Sequence, residues 1–131
     1  MHPKDTLSKW HEVVRTNNIN LLDELLADDV VFYSPVVWTP QEGKFLTKLY
    51  LLSAAQVIGG RHFKYTQEIV SNKAAMLEFT TVLDEVTING VDIIEFNDQG
   101  QIASFKVMVR PLKAINKLHQ KMGEIMNLLT K

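Results

Sequence analysis

The amino-acid sequence predicts an α+β fold. In this fold a cone-shaped, curved and mostly antiparallel sheet wraps around helices, and an extra helix follows at the C-terminal end. Two observations lead to this prediction. Apolar residues recur at helical spacing over most of residues 6–58, whereas four runs typical of strands follow one another over residues 63–109. Strands that are separated from most helices along the chain favour an antiparallel sheet over alternating βαβ units.

The first part of the chain is predicted to contain two helices and a strand. A first helix is capped by Thr6 or Ser8 and ends at residues 17–18, because the two asparagines there favour caps and turns. A second, short helix carries a stripe of leucines and ends at residues 28–29, which are both aspartate. Residues 30–34 are β-branched and aromatic, so they predict a strand that the following proline stops.

A third helix is predicted over residues 45–58, after a loop at residues 36–43. Because this helix is nearly uncharged, it is expected to be buried on most sides. Gly59 and Gly60 are expected to end it, since glycine is common at the C-terminal end of a helix.

The second half of the chain is predicted to form a four-stranded meander and a last helix. Asn89-Gly90 is a rival hairpin signal, which we interpret as a bulge because a turn there would leave a strand of 15 residues on one side. Pro111 is a good first residue for a helix over residues 111–129. The predicted strands cover residues 63–70, 74–83, 86–96 and 102–109.

Length, charge and composition exclude several classes of function. The 131 residues fit a single domain, 1–131. Fourteen Lys and Arg residues against fifteen Asp and Glu residues leave no basic excess to drive binding to nucleic acid or to an anionic membrane. The absence of cysteine excludes a disulfide framework, a thiol nucleophile and a Cys-based metal site, and it fits a cytoplasmic location.

Neither a membrane anchor, a metal site nor a cofactor is expected. The longest uncharged stretch, residues 49–60, has 12 residues, whereas a membrane-spanning helix needs about 20. The four histidines lack the spacing of a metal site, and no glycine-rich stretch has the pattern of a phosphate loop.

Four motifs in a fixed order carry a resemblance to a known superfamily. They are LLADDV at residues 25–30, SP at 34–35, GK at 43–44 and GVDIIEFNDQGQI at 90–102. Each motif is loose, but together the chain resembles the nuclear transport factor 2-like superfamily with its cystatin-like fold. The most similar members are SnoaL-like and ketosteroid-isomerase-like domains. The resemblance covers nearly the whole chain, and it implies a cone around a pocket and a homodimer formed through the sheet face. The helix at 111–129 is expected to be an addition that ketosteroid isomerase lacks.

The resemblance also implies roles for three residues. Asp92 matches the carboxylic acid of the isomerase oxyanion hole, and Trp10 matches the tyrosine of that site. Ser34 stands where the isomerase has its carboxylate general base. A serine hydroxyl accepts no proton at neutral pH without an activating base of its own, so the isomerase mechanism is not the default for this chain.

Asp92 and Glu78 are the two candidate catalytic residues, because both are acidic residues in apolar stretches. For Asp92, one reading is a carboxyl whose pKa is raised and which exchanges a proton within an apolar cavity. The alternatives are a carboxylate bonded to a backbone N–H and a residue that faces solvent. Glu78 would supply a second carboxyl on the same face as Asp92 if the strands pair in that register. A slip of one residue would move Glu78 to the outer face or to a dimer interface.

The candidate ligand-binding residues are aromatic, apolar or hydroxylated residues that the cone would bring to its interior or mouth. Trp38 follows the first strand, so it would form an aromatic wall or lid at the mouth, or else an apolar cap on the core. The full set is Trp10, Phe32, Ser34, Trp38, Phe105 and Val109.

Two hypotheses of different class follow. In the first, the chain is a pocket protein that binds a small, mostly apolar, oxygen-bearing molecule without a cofactor. Any catalysis would then be proton transfer, as in an isomerase, cyclase or dehydratase. In the second, it is a non-catalytic dimeric module that binds a ligand or a protein. An open cavity of a few hundred cubic ångströms would favour the first hypothesis, and a filled one the second.

Overall fold

A computed structural model, which describes residues 1–129, has the predicted α+β architecture. Four helices and a short 3₁₀ helix accompany one six-stranded sheet in the described part of the chain. The helices are α1 (Pro3–Thr16), α2 (Leu22–Leu25), α3 (Lys44–Ile58) and α4 (Leu112–Leu129), and the 3₁₀ helix is Ile19–Leu21. The strands are β1 (Leu26–Tyr33), β2 (Gln41–Glu42), β3 (Lys64–Val70), β4 (Ala74–Leu83), β5 (Val86–Phe96) and β6 (Ile102–Arg110).

The sheet is mostly antiparallel, as predicted. Its strand order is β2-β1-β6-β5-β4-β3, and only β1 and β6 run parallel to each other. The four strands from β3 to β6 form the predicted meander. Two parallel neighbouring strands need a long connection. The helices and strands between β1 and β6 form this connection.

Helix α1 begins earlier than predicted. His2 is its N-cap, and the imidazole Nδ1 accepts a hydrogen bond from the backbone N–H of Lys4. The predicted cap Thr6 is instead buried inside the helix, where its hydroxyl donates to the carbonyl of Gly100 in the turn between β5 and β6. Asn17 ends the helix in the left-handed conformation, with φ of 59°, as asparagine often does.

Strand β1 also begins earlier than predicted, at Leu26 rather than at Val30. Leu26 and Ala27 are buried in the core, and Leu26 lies opposite Ile102 of β6. The two aspartates that were expected to end the preceding helix lie within this strand and are exposed, where the register between β1 and β6 shifts. The two residues of β2, which the sequence did not predict, pair with Phe32 and Val31.

Gly90 lies in a continuous stretch of β5, so the predicted bulge at this position is wrong. The register of β4 with β5 is unbroken from Leu83 to Ala74. A Cβ atom on Gly90 would lie 2.4 Å from Cζ of Phe79 and 2.7 Å from the carbonyl oxygen of Met108. Glycine is therefore required here by the close approach of an aromatic ring and a backbone carbonyl, rather than by a turn.

Two of the helices border the interior only in part. Helix α3 is less buried than predicted, since Phe45 is 80% exposed and only Thr47, Leu51 and Ser53 are buried. Helix α4 starts at Leu112, the residue after Pro111. It packs against the sheet and α3 through buried residues such as Ala114. Within residues 1–129, no helix is long and apolar enough to cross a membrane.

Candidate functional site

A cavity of about 1080 Å³ lies between the sheet and the helices α1, α3 and α4. Every one of these helices and every strand except β2 contributes lining residues, most of them apolar or aromatic. Representative lining residues, in chain order, are Trp10, Phe32, Tyr50, Tyr65, Phe79, Asp92, Phe105 and Leu118.

Strand alternation determines which side chains reach the cavity. Successive side chains on a strand point to opposite faces, so positions two apart share a face. Phe79 and Asp92 lie on the same face as the buried Leu77 and Ile94, because Leu77 pairs with Asp92 and Phe79 pairs with Gly90. We call this the inner face of the sheet, and the opposite one the outer face.

Asp92 is the polar centre of the inner face. The Tyr65 hydroxyl donates a hydrogen bond of 2.6 Å to Oδ2 of Asp92, and it accepts one of 3.0 Å from the indole Nε1 of Trp10. The three side chains therefore form a chain of hydrogen bonds that links α1, β3 and β5. Since hydrogen bonds to charged groups are stronger than neutral ones, this arrangement holds the Asp92 carboxyl in one orientation.

Burial makes Asp92 a group that titrates near neutral pH. Removal from water raises the pKa of Asp92 from 3.8 to about 7, although the hydrogen bond from Tyr65 opposes this shift. Burial, and then the neighbouring Asp92, raise the pKa of Tyr65 well above its usual value, so the phenol remains a neutral donor. Near pH 7, Asp92 is thus present both as a carboxylic acid and as a carboxylate.

The second oxygen of Asp92 is available to a ligand. Oδ1 has no hydrogen-bond partner among residues 1–129, and Asp92 borders the cavity while only 6% of its surface is exposed. It is the one carboxyl group among the described lining residues. A neutral Asp92 can donate a hydrogen bond from this oxygen to a ligand carbonyl, and an ionised Asp92 can accept a proton.

Aromatic rings of the cavity lining pack against one another. The ring of Phe105 meets Trp10 edge-on, with the ring centres 5.1 Å apart, and Phe32 stacks against Tyr50 at the same distance. Phe63 meets Tyr65 edge-on, also at 5.1 Å. Aromatic contacts of this kind stabilise a pocket wall.

Ser34 lines the cavity, but its hydroxyl has a structural role. Its Oγ accepts hydrogen bonds from the backbone N–H groups of Val36, at 3.1 Å, and Val37, at 3.3 Å. Both contacts belong to a local turn of the type that serine commonly forms after a strand. Because these contacts use its acceptor capacity, Ser34 is not placed to act as a general base.

Two predicted site residues do not reach the cavity. Glu78 pairs with Val91, one position away from the Leu77–Asp92 pair, so it lies on the outer face and accepts a hydrogen bond of 3.0 Å from Asn89 Nδ2. Of the two alternatives for Glu78, the outer face therefore holds, and Glu78 does not act as a second carboxyl beside Asp92. Trp38 is 96% exposed and is not among the lining residues, although Val36 and Val37 before it are. The other predicted residues, Trp10, Phe32, Phe105 and Val109, all line the cavity.

Tyr65 and His11 belong to the site, and the sequence reasoning missed both. Phe63, just before β3, and Tyr65 are two positions apart, which is an alternation that could have pointed to Tyr65. His11 meets the Tyr65 ring edge-on, with ring centres 5.4 Å apart, and its Nε2 pairs with the Glu68 carboxylate. Nothing in the sequence marks His11, because its partners lie more than 50 residues away. Within residues 1–129, no group of three or more acidic or imidazole side chains could hold a metal ion.

Comparisons with known proteins identify relatives of this chain. A family model described as a SnoaL-like domain matches residues 7–105. A crystal structure of a steroid delta-isomerase from Pseudomonas aeruginosa is 30% identical. The match has a TM-score of 0.92 and covers 98% of this chain and 95% of that chain. No curated protein sequence matches the chain.

Two more distant structures share the fold alone. One is an NTF2-like protein of unknown function from Mesorhizobium loti, with 16% identity, 83% of this chain and 91% of that chain covered, and a TM-score of 0.73. The other is SalBIII, described as an epoxide hydrolase/cyclase-like enzyme in pyran ring formation in salinomycin. It has 14% identity, with 84% of this chain and 92% of that chain covered and a TM-score of 0.68.

The steroid delta-isomerase match also includes the last helix. With 98% of this chain covered, the match extends into α4, so this helix is not an addition that every isomerase relative lacks.

Proposed function

We propose, from the premise that this chain belongs to the family of SnoaL-like domains, that it binds a small, mostly apolar ketone or enone and moves a proton on it without a cofactor. The observation that carries this proposal is the environment of Asp92, which is the one carboxyl group in an otherwise apolar cavity wall among the described residues. Its position between the Tyr65 hydroxyl and the open cavity suits it to an acid–base role.

The size and lining of the cavity support a small-molecule ligand. Ligand cavities in proteins commonly measure roughly 300–1,000 Å³ and are lined by apolar side chains with a few polar groups that orient the ligand. The volume of about 1080 Å³ lies just above this range. An open cavity of this size favours a ligand over a domain interior that is filled by side chains.

The chemistry that one carboxyl group can perform is a proton shift. The ionised Asp92 accepts a proton from a carbon next to the ligand carbonyl. The electron pair of that C–H bond forms a C=C bond to the carbonyl carbon, and the C=O π pair moves onto the oxygen, which gives an enolate. The same group then returns the proton at another carbon, so the ligand is isomerised and Asp92 is regenerated. A general base works best when its pKa is near the working pH, and Asp92 meets this condition with a pKa of about 7.

The identity of the relative is consistent with this reaction class. A steroid delta-isomerase moves a double bond within a steroid, and the relative described under that name aligns over almost the whole chain. Because Ser34 replaces the carboxylate base expected from the resemblance, Asp92 is the group that transfers the proton. Tyr65 and Trp10 are positioning residues that hold this carboxyl.

The decisive experiment measures isomerisation of a β,γ-unsaturated cyclic ketone, with a steroid and a smaller ring as substrates, by the ultraviolet absorbance of the conjugated product. Asp92→Asn should lower kcat/KM by about 10²–10⁴-fold, which is the usual contribution of a positioned acid–base group. Asp29→Asn, the same substitution on the exposed part of β1, is the matched control and should leave the rate unchanged.

The pH dependence gives a second readout. The rate should rise with pH around a midpoint near 7, since the ionised form of Asp92 is the base. A wild-type rate that Asp92→Asn leaves intact would refute the assignment.

A non-catalytic ligand-binding role is the second candidate, and one observation favours it. The hydroxyl of Ser34 is used by a local turn, and no second carboxyl group lines the cavity among residues 1–129. A protein of this kind would bind ketones and their reduced alcohols in the cavity and convert neither. Saturable binding, together with no turnover by the wild type across the same substrates, would distinguish this role from the catalytic one.

We further propose that the outer face of the sheet pairs two copies of the chain. Ile69, Met76 and Met108 are exposed there around a shallow cleft of about 390 Å³. The cleft also contains Glu78 and Arg110, so a twofold arrangement could bring opposite charges of the two copies together. Light scattering should give twice the monomer mass, and Met76→Glu with Met108→Glu should halve it. Leu112→Glu, on another surface, should not.

A further inference from the structure

The mouth of the cavity carries several positively charged or imidazole side chains. Arg15, Arg61, Lys64 and His119 line the cavity and are also exposed, which locates them where the cavity opens to solvent. They come from the end of α1, the turn after α3, the start of β3 and the middle of α4. Four separate parts of the chain thus contribute to one rim.

Three of these side chains have no acidic partner, whereas five of the other ten Lys and Arg residues within 1–129 form an ion pair. Among residues 1–129, Arg15, Arg61 and Lys64 form no ion pair and no side-chain hydrogen bond. Some lysines on other surfaces do have acidic partners: Lys9 pairs with Glu24 and Lys48 with Asp23. The guanidinium groups at the mouth are therefore free to bind a ligand.

The charge of the cavity lining departs from that of the whole chain. The chain has 14 basic and 15 acidic residues, whereas the lining has two arginines and a lysine against the single, deeply placed Asp92. Glu68, which lies close to the lining, is already paired with His11. The lining therefore combines an apolar interior, one polar group at depth and a basic rim. This distribution of polarity and charge is complementary to an amphipathic anion.

We propose that the natural ligand carries an anionic group, such as a carboxylate or sulfate, which Arg61 and Arg15 bind at the mouth while the apolar body fills the cavity. Arginine suits this role because its planar guanidinium binds such groups with two parallel hydrogen bonds. Arg15 also offsets the partial negative charge at the end of α1, so Arg61, which has no such role, is the sharper test. This inference rests on the proposed function, since it needs a ligand in the cavity.

The test uses two fluorescent probes that share one aromatic scaffold. One is 1-anilinonaphthalene-8-sulfonate, and the other is N-phenyl-1-naphthylamine, which lacks the sulfonate. Arg61→Gln should weaken binding of the sulfonate probe by about 10-fold and leave the neutral probe within about 2-fold, because only the charge-assisted contact is lost. Lys73→Gln, an exposed cation in the turn between β3 and β4 that does not line the cavity, is the charge-matched control and should change neither affinity.

A cavity-blocking variant separates the two proposals. Gly123 lines the cavity on α4, and a Cβ atom there would meet nothing within 4 Å, so Gly123→Phe adds bulk at the wall with no clash at its Cβ. It should weaken both probes. If both probes weaken with Gly123→Phe but Arg61→Gln changes neither, the anion site is refuted and the proposed ligand cavity stands. If neither probe binds in a way that Gly123→Phe weakens, the proposed function is refuted, and the anion site with it.

Discussion

Asp92 and Glu78 are nearly opposite each other on β5 and β4, but they lie in contrasting surroundings. Asp92 faces the inner side, where burial raises its pKa to about 7 and the Tyr65 hydroxyl holds one of its oxygens. Glu78 faces the outer side, is half-buried, and is bonded to the amide of Asn89. The two carboxyls have similar apolar neighbours along the chain, yet only the inner one borders a cavity.

Strand parity, rather than local composition, therefore decides which of the two carboxyl groups borders the cavity. The turn at Asp84 and Glu85 has two residues, and Leu83 pairs with Val86 directly before and after it. That pairing makes Leu77 the partner of Asp92 and Val91 the partner of Glu78. A shift of one residue would exchange the inner and outer sets along the whole strand.

The largest expected effect is the difference in stability lost when a side chain is truncated on the inner face and on the outer face. Phe105→Ala removes a fully buried ring that contacts Trp10, so it should lower the free energy of unfolding by about 3–5 kcal/mol. Met108→Ala, three residues later and more than half exposed on the outer face, should cost less than about 1 kcal/mol. Urea denaturation at one protein concentration measures both. Equal losses would contradict the contrast between the faces.

The two carboxyls should differ next in how they link stability to pH. Because the pKa of Asp92 is raised in the folded state, its contribution to stability is complete below pH 3.8 and is lost as the pH rises to about 7. Asp92→Asn removes this loss, so at pH 8 the variant should be more stable than the wild type by up to about 4 kcal/mol, and the gap should close towards pH 4. Glu78→Gln is the matched variant on the outer face. A pH-independent gap for Asp92→Asn would contradict the raised pKa.

A smaller effect should come from the inner face at Gly90. Gly90→Ala adds a methyl group that would lie within 3 Å of the Phe79 ring and the Met108 carbonyl, so it should destabilise the fold by about 1–3 kcal/mol. Gly123→Ala, where nothing lies within 4 Å and the residue is helical, should instead stabilise by up to about 1 kcal/mol. In thermal unfolding, the two variants should shift the melting temperature in opposite directions: Gly90→Ala should lower it and Gly123→Ala should raise it.

The smallest effect tests the hydrogen bond that holds Asp92. Tyr65→Phe should cost about 1 kcal/mol. Because the Tyr65 hydroxyl lowers the pKa of Asp92, its loss should raise that pKa further above 7. Tyr33→Phe, whose ring lies under the Lys106 amine on the outer face, is the control. Titration of the Asp92 carboxyl followed by NMR distinguishes them, and a lowered pKa in Tyr65→Phe would contradict the network.

Several parts of the site could be predicted because their signals are local. The apolar flanks of Asp92 indicated a costly position for a carboxyl, and the resemblance to the isomerase located Trp10 and Ser34 near it. Other parts depend on contacts that no local pattern encodes. Tyr65 lies 27 residues from Asp92 and 55 from Trp10, so only the packing of α1 and β3 against β5 joins them.

The sequence alone established the order of the helices and of every strand except β2, the bounds of the two longest strands, the family resemblance and the apolar setting of Asp92. These follow from periodicity, turn residues and composition, which act over a few residues at a time. The tertiary structure decided which face of β4 and β5 encloses the cavity, that Glu78 and Trp38 lie outside it, and that Arg15 and Arg61 both line it. The physical reason is that burial and hydrogen bonding between distant residues arise only when the curved sheet closes against the helices, and with them comes the pKa of Asp92.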